Sequence, residues 1–217
     1  FSNCVSKDCG GVAIYIKNEL DYTNNITLTD LTFTDCEAKY GGAVYIYSES
    51  LRIKVQVINC IFRGNHLIEN SDSEITGGSA LFLNTRNSNV DGCQFSNNYG
   101  SDSVFRILTS FKKKTIKGSI RKSELDLNSV IINECKFKAN FDSKSMIQFV
   151  IGNGASNVEV RKCVFTGSLG NDAHFIDEQI LDANAPLLKI KACKFSYDIK
   201  KSLKVDPKHD PSLIDFN

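Results

Sequence analysis

Apolar and polar positions in this chain repeat on a fixed ruler. In VINCIFRGN (57–65), valine stands three residues before Cys60, phenylalanine two after it and asparagine five after it. With the cysteine as zero, further copies read Val90, Cys93, Phe95, Asn98; Val130, Ile132, Cys135, Phe137, Asn140; Val158, Val160, Cys163, Phe165, Ser168; and Leu188, Ile190, Cys193, Phe195, Asp198. An earlier copy has Leu31 at zero, Phe33 at +2 and Cys36 at +5, and Phe1 and Cys4 end a still earlier one. Positions −5 and −3 alternate as on one face of a strand, and so do 0 and +2. Two residues separate −3 from 0, so the inward faces are out of phase and a bend must lie between them. Asp30, Asn59, Asp91-Gly92 and Asn133 occupy the bend and tolerate tight or left-handed turns.

A third strand follows a variable loop. CGGVAIYI (9–16), GGAVYIYS (41–48) and GGSALFLN (77–84) place paired glycines before apolar alternation; SDSVFRIL (101–108), SKSMIQFV (143–150) and GNDAHFI (170–176) keep the strand without the glycines. The expected fold is therefore all-β: a right-handed parallel β-helix, a solenoid of about seven coils with three short strands per coil. Residues 1–203 would form the solenoid and 204–217 an extended tail carrying two prolines. A β-propeller needs four antiparallel strands per blade, and a sandwich should not keep such a ruler.

Composition agrees. Three prolines, no tryptophan and 14 phenylalanines in 217 residues favour strands over helices. A formal net charge of +1 points to no nucleic-acid partner, and no apolar run approaches the ~20 residues of a membrane helix. The chain starts at Phe1 and has a single methionine, Met146, which suggests a processed chain or a piece of a longer one.

The alternation of GGVA (10–13), GGAV (41–44) and GGSA (77–80) with FRGN (62–65), FSNN (95–98) and FKAN (137–140) resembles the GGA[ILV] and FxxN tetrapeptides of the polymorphic outer membrane protein family. The resemblance spans roughly 1–198. It implies a secreted or cell-surface right-handed β-helix with adhesion or surface structure as its role. The last three coils depart from it by lacking the glycine pair.

The eight cysteines would ordinarily suggest disulfides. Here Cys60, Cys93, Cys135, Cys163 and Cys193 share position zero. They are expected to form a buried column of free thiols beside a column of Phe33, Phe62, Phe95, Phe137, Phe165 and Phe195. Cys4, Cys9 and Cys36 are the candidates for a disulfide, as Cys4–Cys36 or Cys4–Cys9. No CxxC pair occurs, and His66, His174 and His209 follow no ligand spacing, so no metal or other cofactor is expected. LRIKV (51–55) contains the RIK triplet of polygalacturonases without its paired aspartates or Gly-His-Gly companion; Arg52 and Lys54 read as solvated strand residues. His174 has Asp172 and Asp177 nearby, a common arrangement on loops. No catalytic residue is assigned.

Three features suggest contacts. The insertion KKKTIKGSIRKSELD (112–126) carries Lys112, Lys113, Lys114, Lys117, Arg121 and Lys122, either a solvated loop or a contact for acidic glycan or for the acidic stretches 69–74 and 176–182, read as loops, of a neighbouring subunit. Asn25-Ile26-Thr27 is a glycosylation sequon in a polar turn. The first residues are already repeat, so an uncapped end could stack on another molecule. The expectation is a non-catalytic extracellular or cell-surface module, structural or adhesive, able to assemble end to end. The competing class is a pectate-lyase-like enzyme acting on polysaccharide.

Overall fold

The computed structural model describes residues 1–7, 10–18, 24–39, 41–48, 50, 53–68, 77–100, 102–109, 128–140, 143–152, 155–167, 172–182, 185–197 and 202–208. These residues form a parallel β-solenoid, and every strand pairing among them is parallel. The strands sort into three long sheets of seven, six and six strands and a short one of three. The complete coils are slightly fewer than the seven expected, because the N-terminal coil contributes only Val5–Ser6 to the short sheet and Ile14–Asn18 to the seven-stranded one.

Residues −5 and −3 of each copy lie in the first six-stranded sheet, which runs from Asn24–Thr29 through Ile53–Ile58, Ser88–Asp91, Ser129–Asn133 and Asn157–Arg161 to Leu188–Lys191. Its register stacks Leu28, Val57, Val90, Ile132, Val160 and Ile190 in one inward column. The parallel column contains one polar residue, Ser88, which is buried with no hydrogen-bond partner for its hydroxyl. The second six-stranded sheet holds the phenylalanines. Phe33, Phe62, Phe95, Phe137, Phe165 and Phe195 are in register, and successive centroids lie 5.0, 4.8, 4.7, 4.9 and 5.0 Å apart. The rings sit one above another because the coil spacing of about 4.8 Å falls within aromatic stacking range.

Each ruler turns two corners, and each corner needs one residue in the left-handed region. At −1 these are Asp30, Asn59, Gly92, Glu134, Lys162 and Ala192, with φ of 54, 54, 63, 53, 54 and 51°. At +4 they are Asn3, Asp35, Gly64, Asn97, Ala139 and Gly167. The expectation that Asn133 makes its corner is corrected. The position immediately before the cysteine turns in every copy, so Glu134 takes the strained conformation and Asn133 keeps its side chain for the neighbouring coils.

The glycine pairs have a similar cause. Gly11, Gly41 and Gly78 each stand three residues before Ile14, Val44 and Leu81, which share one register position, and all three have positive φ. A Cβ on Gly41 would lie 2.8 Å from the carbonyl of Val44, and one on Gly78 2.7 Å from that of Leu81. The residue just before the register position is Ala13, Ala43 or Ala80 in these coils, but Val104, Met146 or Phe175 in the coils without the glycine pair. The later coils thus turn with a different backbone and fill the corner with a larger side chain, reaching Phe175 at 5.8 Å from Phe165.

Two boundaries differ from expectation. The acidic stretch 176–182, read as a loop, is mostly strand: His174–Ile180 pairs with Ser145–Ile151. The inward row Ile46, Leu83, Ile107, Phe149 ends there on Glu178, whose carboxylate is buried. It accepts the N–H of Leu188 at 3.2 Å and of Asp206 at 3.3 Å. The sheet continues into Leu203–Lys204, and Lys208 donates to the Ile180 carbonyl at 2.8 Å, so residues 204–208 are fastened to the last coil.

A left-handed alanine carries a steric cost that glycine avoids. Ala192→Gly, at an exposed corner, is expected to raise stability by about 0.5–1 kcal/mol, seen as a higher urea midpoint at unchanged slope.

Candidate functional site

The chemically capable groups of the ruler are spent inside the solenoid. Cys60, Cys93, Cys135 and Cys163 are wholly buried, and Cys193 is partly so. Each sulfur lies 3.2–3.4 Å from the carbonyl two residues earlier and 3.4–3.8 Å from a carbonyl of the preceding coil. Burial pushes the Cys135 thiol up, while the bonds to Cys93 and Cys163 push up Cys60 and Cys193. Bonds to Cys135 first, and then those to Cys60 and Cys193, pull Cys93 and Cys163 down, against the burial that opposes a charged sulfur. Thiols in a straight row cannot surround an ion, and the described residues contain no group of three ligands able to hold a metal.

The +5 asparagines form a second ladder. Asn65, Asn98 and Asn140 are buried. The Asn98 Oδ1 accepts the Asn65 backbone N–H at 3.0 Å and the Asn65 Nδ2 at 3.0 Å, while the Asn98 Nδ2 donates to the Phe62 carbonyl at 3.0 Å. Asn140 repeats this towards Asn98 and Phe95. At the N-terminal end the Asn65 Oδ1 accepts from the Cys36 N–H at 3.1 Å. The amides therefore give the corner N–H groups of Cys36, Asn65 and Asn98 an acceptor.

Cys4 and Cys36 are both free thiols here. A thiol at +5 can occupy the place of an asparagine: Cys36 turns its sulfur to the Thr34 carbonyl at 3.6 Å. Burial raises the Cys36 thiol. Cys9, the basic cluster Lys112, Lys113, Lys114, Lys117, Arg121 and Lys122, the acidic stretch 69–74, Arg52 and His209 lie outside the described residues. Asn25 is exposed on the strand Asn24–Thr29 rather than in a turn. His66 stacks on Tyr99 at 4.6 Å and faces Glu37 at 3.5 Å.

What sequence reasoning missed is on the outside. In the seven-stranded sheet the register brings Tyr15, Tyr45, Phe82, Arg106, Gln148, Asp177 and Lys204 into one outward row. Its first half is aromatic, with rings 5.2 and 4.7 Å apart. Its second half is charged. Lys204 Nζ lies 3.4 Å from Asp177 Oδ1, Gln148 Nε2 donates to Asp177 Oδ2 at 3.5 Å, and Lys144 Nζ meets Asp102 Oδ1 at 2.7 Å beside the row. Arg106 sits between these pairs. Burial depresses its pKa, and Asp102 and Asp177 act only partly against that. Its Nε and the Gln148 Oε1 are buried without hydrogen-bond partners. Alternation in SDSVFRIL marks Arg106 as outward, but its row-mates could be named only after the long 109–127 interval was spanned in register.

A second outward network joins Asn133 Nδ2 to Asp91 Oδ1 at 2.7 Å and Arg161 Nε to Asn133 Oδ1 at 3.0 Å, with Glu159 3.6 Å from Lys191. Every member has a partner there, which makes it a coil-to-coil fastening. Among the described residues no helix is long and apolar enough to cross a membrane. Comparison with protein-family models, curated proteins and solved structures finds no match to the chain.

Asn98→Ala strands the Asn65 N–H in the interior and removes a side-chain donor from the Phe62 carbonyl, and is expected to cost about 2 kcal/mol, measured by denaturant unfolding. In the native protein Cys60, Cys93, Cys135 and Cys163 should not react with a thiol reagent, and denaturation without reductant should expose all seven described cysteines. A shortfall would reveal a bridge.

Proposed function

We propose that this chain is a non-catalytic structural or adhesive module of an extracellular surface or fibre. The observation that carries this reading is the use of the ruler's thiols, amides and rings between coils. The Asp102 and Asp177 carboxylates each meet a lysine, an arrangement suited to a charged surface rather than to acid–base work on polysaccharide. The GGA[ILV]/FxxN alternation, similar to that of the polymorphic outer membrane proteins, supports a surface setting.

The reading extends to assembly. Phe1 stacks on Phe33 at 5.2 Å yet is 57% exposed, and Val5 is 58% exposed. Another coil of the same ruler would continue the ring column beyond Phe1, whether from the same polypeptide or from a second copy. Stacking of copies is head to tail and does not close. Electron microscopy and light scattering over a concentration series should show rods that lengthen with concentration, and Phe1→Asp should shorten them. A monodisperse monomer at every concentration, unaffected by Phe1→Asp, would refute end-to-end assembly.

A further inference from the structure

We propose that Arg106 is the anchor of a carboxylate-binding site on the outer face of the seven-stranded sheet, and that its ligand is an acidic sugar. This deepens the adhesive reading above and rests on it for the ligand class.

The argument begins with an imbalance. A guanidinium offers five N–H donors and stays charged at neutral pH. When partly buried, such a group is normally held by a carboxylate or by carbonyls, because desolvating it without partners is costly. Among the described residues Arg106 makes no hydrogen bond and no ion pair, and its Nε is closed off from solvent. The two nearby carboxylates are already engaged, Asp102 with Lys144 at 2.7 Å and Asp177 with Lys204 at 3.4 Å. These five charges sum to +1, and the surplus falls on the guanidinium. A single carboxylate would neutralise it and match its planar fork with two parallel hydrogen bonds.

The neighbours narrow the ligand further. Gln148 keeps its Nε2 on Asp177 and leaves its Oε1 without a donor. A hydroxyl beside the carboxylate would satisfy that oxygen. A carboxylate with adjacent hydroxyls on a rigid ring describes a uronic acid. Tyr45 and Phe82 are buried, but the charged half of the row meets solvent: Arg106 is partly exposed, and the Lys144 and Lys204 side chains beside it are 79% and 61% exposed. Gly77 completes the setting: its backbone passes over Arg106, and a Cβ there would come within 3.1 Å of the Arg106 Cδ and 3.4 Å of Nη1. A side chain at 77 would crowd the guanidinium further.

An arginine kept for a ligand and one kept for the fold respond differently to replacement. If Arg106 supported the fold, Arg106→Gln would lower the melting temperature. If it waits for an anion, removing an uncompensated charge leaves the melting temperature unchanged or raises it, and binding is lost.

The test is calorimetric titration of the full chain with trigalacturonate, with an uncharged galactose trimer and with inorganic phosphate, at low and at physiological salt. The expected result is trigalacturonate binding that weakens with salt, no response to the neutral trimer and only weak binding of phosphate. Arg106→Gln should weaken trigalacturonate binding by about tenfold or more without lowering the melting temperature. Arg106→Lys, which keeps the charge but not the fork, should fall between the two proteins. The inference is overturned if wild type does not bind trigalacturonate, if phosphate or the neutral sugar binds as well, if Arg106→Gln binds like wild type, or if that variant melts earlier. Light scattering on the same samples reads assembly separately, so failure of the sugar site is distinguishable from failure of end-to-end stacking.

Discussion

Parallel strands in register place each residue about 4.8 Å above its counterpart in the next coil, and everything else in this molecule answers to that constraint. A position must tolerate contact with copies of itself. Flat rings do so by stacking, as from Phe33 to Phe195. Primary amides do so because one end accepts while the other donates, as in Asn65, Asn98 and Asn140. Small polarisable thiols do so by settling against carbonyls of their own and the preceding coil. Charges of one sign do so only with help: Asp91 is followed by Asn133 and then Arg161, Asp177 by Lys204, and where Lys191 follows Arg161 the Glu159 carboxylate lies against both.

The constraint explains which parts were legible in the sequence. A position that must suit its own copies repeats visibly, so the thiol, ring and amide columns and the strand–corner–strand plan could be read from spacing alone. Corner identity could not. The left-handed residue is Asn59 in one coil and Glu134, Lys162 or Ala192 in others, because backbone connectivity imposes the conformation and side-chain preference only lowers its cost. Asn133 looked like a turn residue and proved to be a rung between Asp91 and Arg161. The stretch 176–182 looked like an acidic loop because Glu178 breaks the apolar alternation. Its carboxylate instead finishes the interior by collecting two backbone N–H groups. At Cys36 the +5 corner holds a thiol in place of the amide, turned to the Thr34 carbonyl of its own coil.

The outer row was illegible for the opposite reason. Functional surfaces on a solenoid are departures from repetition, and a departure has no second copy to announce it. Tyr45, Phe82, Arg106, Gln148 and Asp177 have nothing in common except one register position. Interior and exterior are thus written in different languages on the same strands: inward residues obey the column, and outward residues vary from coil to coil. The shift from Ala80 to Val104, Met146 and Phe175 belongs to the interior, and it marks where the glycine corner gives way to a wider one.

The asparagine ladder has one further property. In every rung the Oδ1 of the later coil accepts from the earlier one, and the Nδ2 reaches back to an earlier carbonyl. The bonds never run the other way, so the rungs form a vector rather than a symmetric stack. A coil presented upside down would meet donor with donor. The solenoid carries an arrow, and any growth along its axis inherits a single polarity from three buried side chains.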